Sequence, residues 1–205
     1  MRLSDEGNPG IRSILVYSSR TGNTEKLARG VYAILTGVDS AGDQEGGNGL
    51  SSEARGAGNR SLFTLDLASI TEAPDPEKYD TIILAFWVNR GYPDEASLAY
   101  LKRIEKKRIG FLATLGAYPD SDHAEKVKNR VKDLILERNE FLGSFFCQGK
   151  LDPKLTKKFT SLPPDHPHAM TPERAKRHRD AASHPDENDI VEAASVCRDM
   201  LSLGG

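Results

Sequence analysis

Three hydroxyl side chains, Ser19, Thr21 and Thr24, crowd around one glycine and one asparagine in the stretch VYSSRTGNTEKLA, residues 16–28. Hydroxyls donate hydrogen bonds, and a glycine lets the backbone close around a ligand. The first amides of a following helix have no acceptor inside that helix. Ser19, Arg20, Thr21, Gly22, Asn23 and Thr24 therefore read as an anion site, with the amides of residues 20–24 as further donors. Absences narrow the anion. No Gly-Lys-Ser/Thr marks a nucleoside triphosphate, no G-x-G-x-x-G marks a dinucleotide, and no cysteine stands here as a phosphatase nucleophile. A single terminal phosphate fits best; the plain alternative is a hydroxyl-rich helix cap that holds nothing.

Such a corner needs a strand before it and a helix after it. RSILVY (12–17) is a short apolar run with β-branched members, and Leu27, Val31, Ile34 and Leu35 recur at helical spacing. This pattern predicts a strand, a tight turn and a helix over about 22–36. Further strands are predicted at LFTLDL (62–67), DTIILAFWV (80–88), RIGFLATL (108–115) and FLGSFFCQG (141–149). The 80–88 run is apolar on both faces, as a central parallel strand is. Leu98, Leu101 and Ile104 predict one intervening helix, with Lys102, Arg103, Lys106 and Lys107 solvated. Val127, Val131, Leu134 and Ile135 predict another, opened by a capping box of Asp122 and Glu125. Alternation of this kind belongs to a doubly wound parallel α/β sheet. The loop after the first strand then lies beyond the carboxyl ends of the strands, where ligands bind.

Two segments stand apart. Residues 37–60 are Gly- and Ser-rich and nearly free of apolar side chains, which reads as a long flexible surface loop, or else a lid for a partner. Residues 151–205 read as a C-terminal helical extension packed on a domain of residues 1–150. One strong helix is expected near 187–202, with Ile190, Ala193, Ala194, Cys197 and Leu201 inward, and His184-Pro185-Asp186 reads as its start. His166, His168, His178 and His184 lack carboxylates or thiols at ligand spacing, so no metal is expected. Residues 150–179 carry eight Lys/Arg against three Asp/Glu. That is a solvated face or a docking patch for an acidic partner.

The totals agree with one ordinary globular chain: 205 residues, 38% hydrophobic, 28% charged, net charge −2. Near-neutrality argues against nucleic acid, and no window approaches the ~20 apolar residues of a membrane span. The polar N-terminus MRLSDEGNPG has no apolar core, so no signal peptide is expected. Two cysteines, Cys147 and Cys197, are too few for a disulfide framework, and a cytoplasmic protein is the expectation.

Ser19-Arg20-Thr21-Gly22-Asn23-Thr24 resembles the S/T-x-T-G-x-T phosphate loop of the flavodoxin family, whose members bind flavin mononucleotide (FMN). By order of elements the resemblance extends over roughly residues 11–150. It implies a five-stranded parallel sheet in the order 2-1-3-4-5. The family's other two flavin loops follow the third and fourth strands. Here they are Phe86-Trp87-Val88-Asn89-Arg90-Gly91-Tyr92 and Thr114-Leu115-Gly116-Ala117-Tyr118. A flat isoalloxazine ring needs an apolar or aromatic wall on each face and donors at its polar edge. The resemblance implies Phe86, Trp87, Val88, Asn89, Gly91, Thr114, Leu115, Gly116 and Tyr118 as flavin contacts beside the phosphate loop. It puts Trp87 on the inner face of the ring and Tyr118 or Tyr92 on the outer. A core tryptophan and simple loop packing of the tyrosines are the alternatives. Two departures stand out: Asn89 and Arg90 where carboxylates usually ring the flavin, and AYPDSDHA in place of an acidic stretch. FCQGK-LDP and HPDENDI look like a flavodoxin-like subfamily of anaerobic bacteria, some members of which accompany bilirubin reductase.

The function so implied is an electron carrier between redox partner proteins, with no catalytic acid or base. A partner would dock near the flavin or on the basic 150–179 segment. The alternative is an FMN-dependent NAD(P)H reductase of quinones or azo compounds. A third reading, a module that has lost its cofactor, is opposed by the intact loop at Ser19–Thr24.

Overall fold

Every residue of RSILVY after Arg12 is buried, because this strand runs with neighbours on both edges and helices on both faces. The computed structural model describes residues 11–38, 64–163, 166 and 169–202. The loop expected over 37–60 lies outside the described residues from position 39 onward. In chain order the strands are β1 (Arg12–Tyr17), β2 (Thr64–Ser69), β3 (Thr81–Asn89), β4 (Tyr92–Pro93), β5 (Arg108–Leu115) and β6 (Glu140–Gln148). The helices are α1 (Asn23–Thr36), α2 (Glu95–Leu101), α3 (Asp122–Leu136), α4 (Pro153–Thr160), α5 (Pro172–Asp180) and α6 (Glu187–Ser202).

Five strands pair in parallel in the order β2-β1-β3-β5-β6. This is the doubly wound order implied above. The structure adds β4, which turns back antiparallel on the end of β3, pairing Asn89 with Tyr92 and Val88 with Pro93. The two residues of that turn, Arg90 and Gly91, both have positive φ (51° and 84°), the requirement of a tight two-residue hairpin.

Side chains of alternate parity leave the sheet toward two helical layers. On one face Leu15, Ile83, Leu112 and Cys147 meet Leu27 and Val31 of α1 and Ala193, Cys197 and Met200 of α6. On the other, Ile82, Leu84, Phe86 and Phe111 meet Tyr100 and Leu101 of α2 and Val127, Val131 and Ile135 of α3. Close approach of α6 is made possible by glycine: a Cβ on Gly110 would collide with Met200 Sδ, and one on Gly30 would stand 2.7 Å from Ile190.

Local details differ from the sequence reading. Helix α2 ends at Leu101, so Ile104 is buried from the loop that follows rather than from the helical stripe. Ser121, not Asp122, caps α3: its Oγ accepts from Ala124 N at 3.3 Å, because a β-region residue one step earlier aims its hydroxyl at the free amides. For α6 the expected start is seen as a reciprocal pair, Asp189 N donating to Asp186 Oδ1 (3.0 Å) and Asp186 N donating to Asp189 Oδ2 (2.8 Å).

Candidate functional site

The sheet order reverses between β1 and β3, since the chain leaves β1 for β2 on one side and returns past it to β3 on the other. Crevices at such a switch point are where open α/β sheets bind ligands. A cleft of about 730 Å³ opens there, within the usual range for small-molecule sites. Its walls come from the segments following β1, β3, β5 and β6.

The loop after β1 is held from both sides. Ser18 N donates to Ala85 O (2.9 Å), and Ser18 Oγ donates to Asp94 Oδ1 (2.8 Å). Asp94 is buried; it also caps α2 by accepting from Ser97 N and Oγ, and its own N–H donates to Trp87 O. One carboxylate thus ties the exit of β1 to the loop after β3. The first intrahelical bond of α1 runs from Lys26 N to Gly22 O at 2.9 Å, so the earlier amides have no acceptor in the helix. Gly22 caps α1 at φ 86° and has no side chain to cap those amides. A Cβ there would meet nothing within 4 Å, so glycine is required by conformation and not by space.

Ser19 Oγ is buried and has no hydrogen-bond partner among the described residues. An orphaned buried hydroxyl beside uncapped helix amides lacks an anionic acceptor, and a phosphate monoester satisfies both. The corner fits the phosphate of the flavin that the sequence implied.

Of the residues expected to contact that flavin, Arg20, Thr21, Asn23, Trp87, Val88, Asn89, Thr114, Leu115 and Gly116 line the cleft. Asn23 Nδ2 donates to Lys150 O (2.9 Å) and Thr21 Oγ1 (3.2 Å), bracing the loop against the end of β6. Thr24 Oγ1 lies 2.8 Å from Thr114 Oγ1, a buried bond joining α1 to β5. The Arg20 guanidinium stacks over the Trp87 ring at 4.6 Å, which keeps that indole at the cleft instead of in the core.

Others are placed elsewhere. Phe86 is fully buried against Phe111, ring centroids 5.4 Å apart, because the strand parity that brings Trp87 to one side turns Phe86 to the other. Gly91 and Tyr92 belong to the hairpin and face α3: Arg130 donates to Gly91 O and its guanidinium lies 4.3 Å from the Tyr92 ring centre. Tyr118 OH donates to Asp180 Oδ2 at 2.6 Å, beside Lys176. That bond raises the Tyr118 pKa, while Lys176 first and Tyr118 second hold Asp180 below the usual carboxylate range. Neither tyrosine covers the cleft.

The opposite wall is Gly149, Lys150, Leu151, Asp152, Leu155 and Phe159. Asp152 caps α4 by accepting from Lys154 N (2.8 Å), with Pro153 at its first position. Leu155 and Phe159 then fall four residues apart on one face of α4, and Leu151 lines the cleft from just before the cap. The outer apolar wall is built by a helix, not by loop aromatics. That spacing is the signal for it in the sequence, where the surrounding Lys154, Lys157 and Lys158 give the segment the look of a charged surface. Asp152 is the one carboxylate among the lining residues, against Arg20, Arg90 and Lys150. Both cysteines are free and buried, and burial pushes the Cys197 thiol up to about 12 and raises that of Cys147. Among the described residues no helix is long and apolar enough to cross a membrane. His184, Asp186 and Asp189 form the one group of potential metal-ligating atoms among them, and its acids are engaged in the α6 cap.

Comparison with known proteins agrees with this geometry. The family described as a flavodoxin domain matches residues 59–198. The chain is 30% identical over 194 residues to the flavodoxin-like domain-containing protein BilS of Clostridioides difficile (strain CD3), covering 93% of this chain and 97% of that one. It is 26% identical over 186 residues to the protein of the same description from Clostridium symbiosum (strain WAL-14163), covering 86% and 89%. Among solved structures, oxidised flavodoxin 1 from Bacillus cereus is similar with a TM-score of 0.53 at 12% identity, over 93% of this chain and 97% of that one. A flavodoxin of Streptococcus pneumonia TIGR4 gives 0.52 at 12% identity, over 93% and 98%. At that identity the likeness is one of fold.

Proposed function

This chain belongs to the flavodoxin family, and from that premise we propose that it is an FMN-bearing electron carrier acting between redox partner proteins in the cytoplasm. The observation that carries the cofactor is the orphaned Ser19 Oγ beside the uncapped start of α1, a seat for one phosphate in the loop whose Arg20, Thr21 and Asn23 line the cleft. FMN, when bound, supplies the redox chemistry; the chain binds, orients and exposes it. Ser19, Thr21 and the first amides of α1 hold the phosphate. Trp87 on one side and Leu155 and Phe159 on the other offer the walls for the ring. Arg20, by stacking on Trp87, fixes the angle of that wall.

The cleft supports a carrier over a stand-alone reductase. Its lining holds no histidine, and its one carboxylate, Asp152, is engaged as a helix cap by accepting the amide of Lys154. Partner docking belongs on the neighbouring basic face. Lys157 and Arg179, both exposed, flank an apolar groove of about 580 Å³ between α4 and α5 that shares Lys150 and Leu151 with the cleft.

The test is the absorbance spectrum and extracted flavin of the purified protein, followed by anaerobic mixing with NADPH. The carrier is expected to be yellow, to release FMN, and to stay oxidised with NADPH until a flavin reductase is added. Rapid direct oxidation of NADPH would transfer the assignment to the reductase class.

A further inference from the structure

A second hollow of about 440 Å³ adjoins the phosphate loop and is lined by Arg20, Thr21, Asp152, Lys154, Leu155 and Lys158. Arg20, Thr21, Asp152 and Leu155 also line the main cleft, so the two spaces meet at the loop after β1. Lys154 and Lys158 are four residues apart on α4 and therefore share a face. Both are exposed, and neither has an ion-pair partner among the described residues. The one acid in the hollow, Asp152, turns an oxygen to Lys154 N as the cap of the same helix. Two ammonium groups and the Arg20 guanidinium, against the single Asp152 carboxylate, thus give a net positive charge to a hollow that includes Thr21 of the phosphate seat. A phosphate monoester carries close to two negative charges at neutral pH, and hydroxyls and amides alone leave that charge uncompensated.

We propose that Lys154 and Lys158 form a second wall of the phosphate subsite, so that α4 closes on the phosphate from the side opposite the loop and selects phosphorylated over unphosphorylated flavin. This rests on the FMN reading above. Ring contacts are common to FMN and riboflavin, whereas these lysines act on the phosphate only. Their attraction operates through solvent and is screened over about 8–10 Å at ordinary salt. Arg20 stays in place through its stacking on Trp87 and is not part of the test.

The experiment is calorimetric titration of flavin-stripped protein with FMN and with riboflavin, at low and at physiological salt, for wild type, K154Q/K158Q, K154R/K158R and K157Q. Glutamine preserves helix propensity and length while removing charge. For K154Q/K158Q, FMN affinity is expected to fall about 5- to 30-fold at low salt, with riboflavin unchanged within twofold and the salt dependence of FMN binding reduced. The arginine pair retains FMN affinity, as does K157Q, whose side chain lines the other groove. Unchanged FMN affinity in the glutamine pair overturns the proposal, and so does an equal loss for FMN and riboflavin, which would mean that α4 has been disturbed as a wall. Wild-type protein that takes up neither flavin would instead sink the cofactor reading itself.

Discussion

The two walls of the cleft are made by opposite means. The loop after β1 is fixed by the sheet: Ser18 is bonded to β3 and Asp94, Thr24 to Thr114, and Asn23 to the end of β6. Its ligand groups are hydroxyls and backbone amides, which lose little freedom on binding. The facing wall, α4, contains no fully buried residue, and neither does α5 behind it. Its cleft-facing groups are long or bulky side chains on a helix that the core does not anchor. One wall is braced by the sheet; the other rests on contacts with α5, such as Phe159 against His178 with ring centroids 6.2 Å apart.

The strongest test of that contrast removes hydroxyls from the rigid wall. Ser19→Ala with Thr21→Ala is expected to weaken FMN by about 1–3 kcal/mol for each lost charge-assisted bond while riboflavin affinity barely changes. Equal losses for both flavins, read by calorimetry, would place the phosphate elsewhere. Next in size is the facing wall, α4. Leu155→Ala with Phe159→Ala is expected to cost FMN and riboflavin alike, by roughly 1–2 kcal/mol for half-buried side chains. Hydrogen exchange sharpens the point: loading FMN should slow the amides of α4 severalfold and leave those of β1 unchanged. Uniform protection of both walls would show that they are equally preformed.

A smaller effect is expected at Arg90, an exposed cation at the cleft rim. Reduction adds negative charge to the flavin, and a nearby cation favours it. Arg90→Glu should lower the potential by about 20–60 mV, given ~59 mV per tenfold change in a one-electron equilibrium, and spare the affinity for oxidised FMN. Coincident potentials in wild type and variant would mean that the side chain is fully screened. The smallest effect concerns pH. His178 of α5 is held below the ordinary histidine range, first by burial and then by Arg177 and Arg174, with Thr156 Oγ1 3.1 Å from its Nδ1. A lowered folded-state value means that the unfolded chain takes the proton first. Stability is therefore full above about pH 6.5 and is lost as pH falls from there toward the folded value. Thermal melts between pH 7.5 and 5.5 should show a decline that His178→Asn reduces.

The same contrast explains what could be read from the chain alone. The phosphate corner is local: three hydroxyls, a glycine and a helix start within six residues announce it wherever the strand leads. The strands were legible because buried parallel strands are continuous apolar runs, and their order followed from the resemblance. Phe86 and Trp87 show the limit. Phe86 still lies within the sheet, where its side chain is buried in a helical layer, while from Trp87 onward the end of β3 lines the cleft, and the sequence does not mark that depth. Tyr118 shows another. Its hydroxyl finds Asp180, 62 residues along the chain, and no local pattern announces a partner at that distance. Leu155 and Phe159 have the spacing of one helix face, but which surface that helix covers depends on where β6 ends.

Trp87 is the only tryptophan in the chain, and it stands at the cleft with Arg20 upon it. All of the protein's indole emission therefore originates within the ligand site, with no background from other tryptophans. A flavin seated against that ring absorbs where indole emits, so loading extinguishes the signal and release restores it. The molecule carries its own optical gauge of occupancy. Binding and exchange of the cofactor can be followed in real time on the native sequence, and Trp87→Phe supplies the dark control.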